Sequence, residues 1–216
     1  MSVVVNPAPI TVRRLGCVEY LSTWSAMQQF TAARGPETPD EIWLLEHPPV
    51  YTLGLAGKPE HVLDADGIPV VKTDRGGQVT YHGPGQVIAY LLIDLHRRGI
   101  KVRELVSAME EAVIRLLAGL GIDAARQEGA PGVYVADAKI AALGLRVRQG
   151  RSYHGVSLNV NMGLAPFTGI NPCGYSGMKV TQLADLGVAQ PLDEVADMLL
   201  NQLTAVLNAP RQETVK

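Results

Sequence analysis

The sequence predicts an α+β fold (mixed α/β), in which a mixed β-sheet carries flanking helices. Three segments repeat apolar residues every three to four positions, as amphipathic helices do, and short β-like runs lie between them. The chain has 216 residues, a length at which one domain is the default, because about 70% of the unfolded surface can be buried around one core. We therefore predict a single domain over 1–216, with terminal extensions at about 1–10 and 209–216.

The three helical segments are bounded by local signals. The clearest spans 102–121, where Gly121 lies at the position of a C-terminal cap. A second segment spans 18–34 and ends before a Gly-Pro pair. The third, 192–207, follows a proline and begins with an acidic turn, both of which are typical of a helix N-terminus.

Short β-like runs, separated by glycine, proline and polar turns, occupy most of the middle of the chain. The last two runs are joined by a polar turn at 149–151, so we expect an antiparallel hairpin there. The predicted strands are 42–45, 50–53, 68–72, 87–95, 133–135, 139–148 and 152–160.

Charge and composition argue against several classes of function. The chain has 19 basic and 21 acidic residues, so no overall positive field favours nucleic acid. The longest apolar run, 87–95, is much shorter than the roughly 20 residues of a membrane-spanning helix, and the N-terminus lacks the basic region of a signal peptide. We therefore expect a cytoplasmic protein with no membrane partner. Neither of the two cysteines has the spacing of a metal site, so no metal is expected.

The most unusual stretch is a glycine-rich loop at 75–86, which reads Arg-Gly-Gly-Gln-Val-Thr-Tyr-His-Gly-Pro-Gly-Gln. It is not a P-loop, because no Gly-Lys is followed by Ser or Thr, and it leads into a strand rather than into the helix that a dinucleotide fingerprint requires. Its glycines allow a ligand to approach the backbone N–H groups closely. The alternative interpretation is a glycine-rich hairpin loop without a ligand.

Cys173 is the candidate nucleophile. Pro172 and Gly174 place it on a sharp turn, and a short helix predicted from there through Leu186 would favour a thiolate through its dipole. A free cysteine is more often a small buried hydrophobe, and that is what we expect of Cys17.

A nucleophilic thiol needs a group that tunes it and moves protons, and the candidates are the histidines and a buried lysine, Lys139. It opens an apolar predicted strand, where desolvation disfavours its charged form while its charge favours a nearby thiolate. The alternative is that its alkyl stem reaches solvent. Among the histidines, His82 and His154 are better placed to act as bases. The histidines that we expect to be solvated are His47, His61 and His96.

Four segments, taken in order, resemble the LipB family of lipoyl(octanoyl) transferases. They are the loop 75–86, the run Gly132-Val-Tyr-Val with Lys139-Ile-Ala-Ala-Leu-Gly-Leu-Arg-Val, the run His154-Gly-Val-Ser-Leu-Asn-Val-Asn, and Ile170-Asn-Pro-Cys-Gly-Tyr. The similarity extends from about the first predicted helix to about Leu186.

The resemblance implies both a fold and a reaction. The fold is that of the catalytic domains of biotin and lipoate protein ligases. The reaction transfers an octanoyl group from the thioester of octanoyl acyl carrier protein, through an acyl-cysteine, to a lysine of a lipoyl domain, as the first step of protein lipoylation. The acceptors would be the E2 subunits of 2-oxoacid dehydrogenases and the glycine-cleavage H protein, and the reaction needs neither ATP nor a metal.

The resemblance also implies roles for individual residues. The acyl nucleophile falls on Cys173 and the lysine that tunes it on Lys139. The small residues among the implied substrate contacts leave a slot for an unbranched chain. These contacts are Arg75, Gly76, Gly77, Gln78, Val79, Thr80, Tyr81, His82, Ala142, Leu143, Gly144, Gly155, Val156 and Ser157. A basic hairpin tip of Arg146, Arg148 and Arg151 either docks the acidic carrier protein or is a solvated turn.

Three other functions remain open at this point. An ATP-dependent lipoate or biotin protein ligase of the same fold would not need Cys173. A Cys-His hydrolase would use His82 or His154 as its base and would not depend on Lys139. A non-catalytic module would bind the carrier protein or the lipoyl domain without forming a covalent adduct.

Overall fold

The computed structural model describes residues 9–172 and 177–209, and three α-helices and ten β-strands lie within these ranges. The helices are α1 (Tyr20–Ala33), α2 (Val102–Gly119) and α3 (Leu192–Leu207). The strands are β1 (Ile10–Cys17), β2 (Asp40–Glu46), β3 (Val50–Leu53), β4 (Val70–Lys72), β5 (Val79–His82), β6 (Gln86–Leu92), β7 (Ala125–Gln127), β8 (Ala130–Val135), β9 (Ala138–Arg148) and β10 (Arg151–Asn159). None of the helices in these ranges is long and apolar enough to span a bilayer.

A seven-stranded sheet forms the frame of the molecule, in the order β1-β2-β6-β10-β9-β8-β7. β1 and β2 are parallel, whereas the other neighbouring strands are antiparallel, so the sheet is mixed as predicted. β6 lies between β2 and β10, and all of its residues are buried. Burial on both faces explains why this strand is an unbroken apolar run in the sequence.

Different elements cover the two faces of this sheet. Val87 and Ala89 of β6 belong to the core packed with α2 and α3, whereas Ile88 and Tyr90 belong to a second core that includes Met27 of α1. Successive side chains of a strand point to opposite faces, so α1 lies on one face and the α2–α3 pair on the other.

A three-stranded sheet, in the order β4-β3-β5, lies on the α1 side of the molecule. β3 is parallel to β4 and antiparallel to β5, and the ring of Tyr20 in α1 stacks on His82 of β5 with centroids 6.3 Å apart. The core of this sheet includes Met162 and Phe167, which follow β10. The small sheet therefore holds the glycine-rich loop against the large one.

The three predicted helices and the seven predicted strands are confirmed, with bounds that differ by at most three residues. Gly121, with φ of 76°, follows the end of α2, and its amide donates to the carbonyl of Ala118. The predicted hairpin joins β9 to β10 through Gln149 and Gly150, which have φ of 52° and 74°. These angles are those of a type I′ turn, whose twist matches that of the flanking strands.

Three strands were not predicted, namely β1, β5 and β7. β1 is an edge strand with mostly exposed residues, and β7 is short and wholly exposed, so neither has the apolar pattern of a buried strand. β5 lies inside the glycine-rich loop. The expectation that Cys17 is buried is wrong, because it lies at the end of the edge strand β1 and is exposed.

Candidate active site

A cavity of about 520 Å³, which we call the apolar pocket, opens on the α1 face of the large sheet, between that sheet, α1 and the glycine-rich loop. Small residues form its wall on β9 and β10. Gly144 lies opposite Gly155, and Ala142 lies opposite Ser157, and all four line the cavity. Because paired small residues leave space above the sheet, an elongated apolar ligand fits along these two strands.

Twelve of the fourteen predicted substrate contacts line the apolar pocket, and Gly76 and Tyr81 do not. The Gly76 amide instead donates to the Leu145 carbonyl at 2.8 Å, and the Tyr81 ring packs against Phe167 in the core of the small sheet. The twelve that line it are Arg75, Gly77, Gln78, Val79, Thr80, His82, Ala142, Leu143, Gly144, Gly155, Val156 and Ser157. That they contact a substrate stays a prediction.

Arg75 is buried and holds the glycine-rich loop in place. Its Nε and Nη2 donate to the Thr52 hydroxyl at 3.1 and 2.8 Å, and Nη2 also donates to the carbonyl of Gln78 at 2.8 Å. Its Nη1 donates to the Gly76 carbonyl at 2.9 Å. The loop therefore keeps its shape through a charged side chain whose hydrogen bonds are directed at backbone and hydroxyl oxygens.

Four rings, which we call the ring cluster, lie on one side of the apolar pocket. Tyr20, His82 and Tyr90 line the pocket, and His47 contacts all three of these rings. The centroids of Tyr20 and His47 are 5.1 Å apart, and those of His47 and His82 are 6.0 Å apart. His47 Nδ1 donates to the Val18 carbonyl at 2.6 Å, and its Nε2 accepts from the Tyr90 hydroxyl at 2.8 Å. The expectation that His47 is solvated is therefore wrong, since it is fully buried.

The histidines of the ring cluster are neutral near pH 7. Burial lowers the pKa of His47 to about 4, and burial together with the neighbouring His47 lowers the pKa of His82 to about 3. His82 Nδ1 donates to Gln86 Oε1 at 2.7 Å. Burial also raises the pKa of Tyr20 to about 12, so the Tyr20 ring, like the two histidines, is neutral near pH 7.

Asp74 anchors a second set of polar side chains next to the apolar pocket. It accepts hydrogen bonds from Trp24 Nε1 at 2.8 Å, from His154 Nε2 at 3.2 Å and from the Tyr153 hydroxyl. Burial acts to raise the pKa of Asp74, but these hydrogen bonds outweigh it and hold the pKa below its usual value. His154 has φ of 61° within β10, a strained conformation for a residue other than glycine, and the bond to Asp74 holds its ring in this position.

Lys139 lies in an adjoining cavity of about 310 Å³, which we call the lysine cavity. Lys139 is 4% exposed, so the alternative in which its stem reaches solvent is wrong. Its Nζ donates to the Pro131 carbonyl at 3.1 Å and lies 5.1 Å from the ring centre of Tyr134. Gly132 makes room for it: a Cβ there, at a backbone φ of 143°, would lie 2.9 Å from Lys139 Cε. The ammonium group is thus buried against a carbonyl and an aromatic face.

Cys173 lies outside the described residues, but the chain on both sides of it is placed. Pro172, the residue before it, lines the lysine cavity. On the other side, the amide of Lys139 donates to the Lys179 carbonyl at 2.9 Å, and the amide of Thr181 donates to the Lys139 carbonyl at 3.0 Å. The predicted helix through Leu186 is wrong over 177–183, where no helix forms and 179–181 pairs with Lys139 through Val180; a 3₁₀ turn follows at Ala184–Leu186.

A chain of buried amides connects the two cavities. Gln86 Nε2 donates to Asn159 Oδ1 at 2.9 Å, and Asn159 Nδ2 donates to the Thr181 carbonyl at 2.9 Å. Because Gln86 also accepts from His82, the chain runs from the ring cluster to the segment that borders Lys139. Gln86 and Asn159 line the lysine cavity as well.

Sequence reasoning missed three residues that line the apolar pocket, namely Tyr20, Ile88 and Tyr90. The period of two in β6 could have placed Ile88 and Tyr90 on one face, but it could not have shown which element covers that face. No sequence pattern could have identified Tyr20 as a pocket residue, because a tyrosine at the start of an amphipathic helix is not unusual. Of the basic hairpin tip, Arg151 pairs with Asp94 at 3.5 Å and Arg148 is exposed, so docking there stays a prediction.

Comparison with known sequences gives consistent results. The model of the lipoyl protein ligase A/B catalytic domain matches residues 19–204. An octanoyltransferase of Aromatoleum aromaticum is 65% identical over 198 residues, which are 92% of this chain and 86% of that protein. An octanoyltransferase of Dechloromonas aromatica is 64% identical over 200 residues, which are 93% of this chain and 98% of that protein.

Solved structures share the fold at low identity. The bipartite lipoate protein ligase of Thermoplasma acidophilum superposes with a TM-score of 0.72 at 18% identity, covering 96% of this chain and 88% of that one. The biotin protein ligase of Aquifex aeolicus gives a TM-score of 0.56 at 11% identity, covering 91% and 70%. Likeness at these identities shows the fold alone, and it confirms the fold expected from the resemblance.

Proposed function

The chain belongs to the lipoyl protein ligase A/B catalytic-domain family and acts as an octanoyltransferase, and from this premise we propose that Cys173 carries the octanoyl group between donor and acceptor. The donor is the thioester of octanoyl acyl carrier protein. The acceptor is a lysine on a lipoyl domain, of the kind found in the E2 subunits of 2-oxoacid dehydrogenases and in the glycine-cleavage H protein.

The observation that carries this proposal is that the two cavities share part of their lining. The lysine cavity, lined by Lys139 and Pro172, meets the apolar pocket at Thr80 and Ala142, which line both. A thioester carbonyl beside Lys139 can therefore extend its alkyl chain into the apolar pocket. This arrangement separates the reacting end of the substrate from the part that gives binding energy.

In the first step, the Cys173 thiolate attacks the thioester carbonyl and forms a new C–S bond. The tetrahedral intermediate collapses, the bond to the carrier sulfur breaks, and the departing thiolate takes a proton from the Lys139 ammonium. The buried position of Lys139 supports this role, because loss of the proton relieves the desolvation of its charge.

In the second step, the acceptor lysine amine attacks the octanoyl-Cys173 carbonyl. A C–N bond forms and the C–S bond breaks, while neutral Lys139 takes the proton that the amine loses. Cys173 leaves as a thiolate beside the restored ammonium. Because an amide replaces a thioester, we propose that the transfer needs neither ATP nor a metal. We place it in the cytoplasm, where thiols stay reduced.

Intact-protein mass spectrometry tests the proposal. The wild type, Cys173→Ser and Cys17→Ser are each mixed with octanoyl acyl carrier protein without ATP, and a lipoyl domain is added afterwards. We expect the wild type and Cys17→Ser to gain one octanoyl group and pass it to the domain, and Cys173→Ser to do neither. Modification of the domain only with ATP and free octanoate would replace this proposal with a ligase reaction. Release of free octanoate would indicate a hydrolase, and binding without an adduct a non-catalytic module.

A further inference from the structure

We infer that Glu110, a buried carboxylate on α2, is a positioning residue for the proposed transfer, because it fixes the orientation of the peptide group that holds Lys139. The inference deepens the proposed function and rests on it. Glu110 is 7% exposed and lies in α2, which packs on the face of the large sheet away from the apolar pocket. Its effect on the reaction therefore has to pass through the sheet to Lys139.

One peptide group, between Pro131 and Gly132 in β8, connects Glu110 to Lys139. The Gly132 amide donates to Glu110 Oε1 at 3.1 Å. The Pro131 carbonyl accepts from Lys139 Nζ, also at 3.1 Å. Because the N–H and the C=O of a trans peptide point in opposite directions, the carboxylate and the ammonium lie at opposite ends of the same peptide dipole. Each charge therefore meets the end of the dipole that attracts it.

The two residues of this peptide do not fix its orientation by themselves. Gly132 has φ of 143°, which a residue with a Cβ rarely adopts, and a proline followed by a glycine allows the peptide between them to point either way, as in type I and type II turns. In the reversed orientation, an N–H would face the Lys139 ammonium and a carbonyl would face the Glu110 carboxylate. Both contacts would then be repulsive, so Glu110 favours the orientation that presents a carbonyl to Lys139.

This peptide packs directly against the end of the lysine side chain, so a displaced peptide displaces Lys139. A Cβ on Gly132 would lie 3.2 Å from Lys139 Nζ and 2.8 Å from the Ala141 carbonyl oxygen. A misplacement of a reacting group by about 1 Å costs about 10²-fold in rate. Without Glu110, the buried Gly132 amide loses its acceptor, and the free energy of that unpaired N–H favours such a shift.

Arg126 directs the Glu110 carboxylate and supplies a control. Its Nε donates to Glu110 Oε2 at 3.0 Å, which leaves Oε1 for the Gly132 amide. Its Nη2 donates to Glu111 Oε2 at 2.9 Å. Glu111 therefore shares the same arginine, but it is partly exposed and also accepts from Arg115 on the same helix. Replacing Glu111 disturbs Arg126 without removing the acceptor of the Gly132 amide.

The experiment measures single-turnover acylation by octanoyl acyl carrier protein at several donor concentrations, followed by intact mass. The maximal rate constant reports the positioning of Lys139, and the amplitude reports the fraction of folded enzyme. We expect Glu110→Ala to lower the maximal rate about tenfold, with an unchanged half-saturating donor concentration because the apolar pocket is intact. Glu110→Gln keeps an oxygen for the Gly132 amide and should stay within about threefold of the wild type. Glu111→Ala, the matched control, should keep the wild-type rate.

The outcomes separate this inference from the proposed function. If the wild type forms no octanoyl adduct, the proposed function fails. If the wild type is acylated and Glu110→Ala keeps its maximal rate, or loses only amplitude, the proposed function stands and the inference is wrong. The inference is also wrong if Glu111→Ala is equally slow, or if Glu110→Gln is as slow as Glu110→Ala. Should Glu110→Ala not fold, Glu110→Asp replaces it: the shorter side chain withdraws the acceptor from Gly132, and a maximal rate equal to that of Glu110→Gln would overturn the inference.

Discussion

The lysine cavity and the ring cluster beside the apolar pocket bury different kinds of polar group, although the two cavities share Thr80 and Ala142. In the lysine cavity, the ammonium of Lys139 is buried against a backbone carbonyl and an aromatic ring. In the ring cluster beside the apolar pocket, histidines that are ionisable in water are kept neutral by burial. The lysine cavity therefore buries the lysine that we propose for proton transfer, whereas the ring cluster presents neutral rings to the apolar pocket, whose lining also includes the buried Arg75.

This contrast comes from how each region is supported. The extended segment 179–181 and the Gln86–Asn159 amides hold the backbone around Lys139. Ring-to-ring contacts and the hydrogen bond that His154 donates to Asp74 hold the side of the apolar pocket formed by the ring cluster and His154. Substitutions in the first region should therefore change the rate of chemistry, whereas those in the second should change stability or acid sensitivity.

Replacing the lysine should give the largest effect. Lys139→Met keeps the length of the side chain but removes its proton, and we expect both acylation and transfer to fall by about 10³-fold. Lys179→Met is the control, since Lys179 is exposed and pairs with Asp137. Full activity in Lys139→Met would show that the lysine cavity does not supply the proton transfer and would contradict the difference drawn between the two regions.

Removing the amide chain should give the next largest effect. Asn159→Ala frees the Thr181 carbonyl, and we expect kcat to fall by about 10²-fold through misplacement of the segment beside Lys139. KM for octanoyl donors should change little, because the apolar pocket is intact. Asn161→Ala is the control at an exposed position two residues away. A change in KM alone would mean that Asn159 belongs functionally to the apolar pocket.

The neutral histidines predict that acid weakens the fold. Their folded pKa values, about 4 for His47 and about 3 for His82, lie below the unfolded value of about 6.5. Above pH 6.5 both histidines are neutral in the folded and in the unfolded protein. As the pH falls towards 4.5, they take up protons only in the unfolded protein, which is thereby stabilised. The free energy of unfolding should therefore drop by about 2 kcal/mol per histidine between pH 6.5 and 4.5.

Urea unfolding at several pH values across this range measures the effect. In His47→Gln, the free energy of unfolding should depend less steeply on pH than in the wild type. Asp74 does not interfere with this measurement. Because its pKa is lowered in the folded state, its contribution to the free energy of unfolding is fully present at a pH above its unfolded pKa and is lost only in stronger acid. A slope that His47→Gln leaves unchanged would show that the ring cluster is not the acid-sensitive region.

The smallest effect is expected at Cys17. Because this thiol is exposed on an edge strand, Cys17→Ser should change the free energy of unfolding by less than about 0.5 kcal/mol and leave acylation intact. Thermal unfolding and the acylation assay measure both quantities. Loss of the octanoyl adduct in Cys17→Ser would show that Cys17, and not Cys173, is the nucleophile.

Much of the fold could be predicted from local patterns. The period of three to four residues located α1, α2 and α3, and apolar runs located seven of the ten strands. The mostly buried strand β5 was missed because it lies inside the glycine-rich loop. The edge strands β1 and β7 were missed because solvent on their open sides removes the apolar signal. The helix expected through Leu186 was wrong because pairing with Lys139 holds 179–181 extended.

The sequence by itself determined where the helices and most of the buried strands lie, and its resemblance to a family singled out Cys173, Lys139 and the glycine-rich loop. Only the tertiary structure decided that His47 is buried, that Gly144 faces Gly155, and that Tyr20 lines a pocket formed by residues more than 50 positions away. The physical reason is that periodicity reports which face of one element is buried. A cavity is defined by the elements that meet there, and strand register and packing bring those together across the chain.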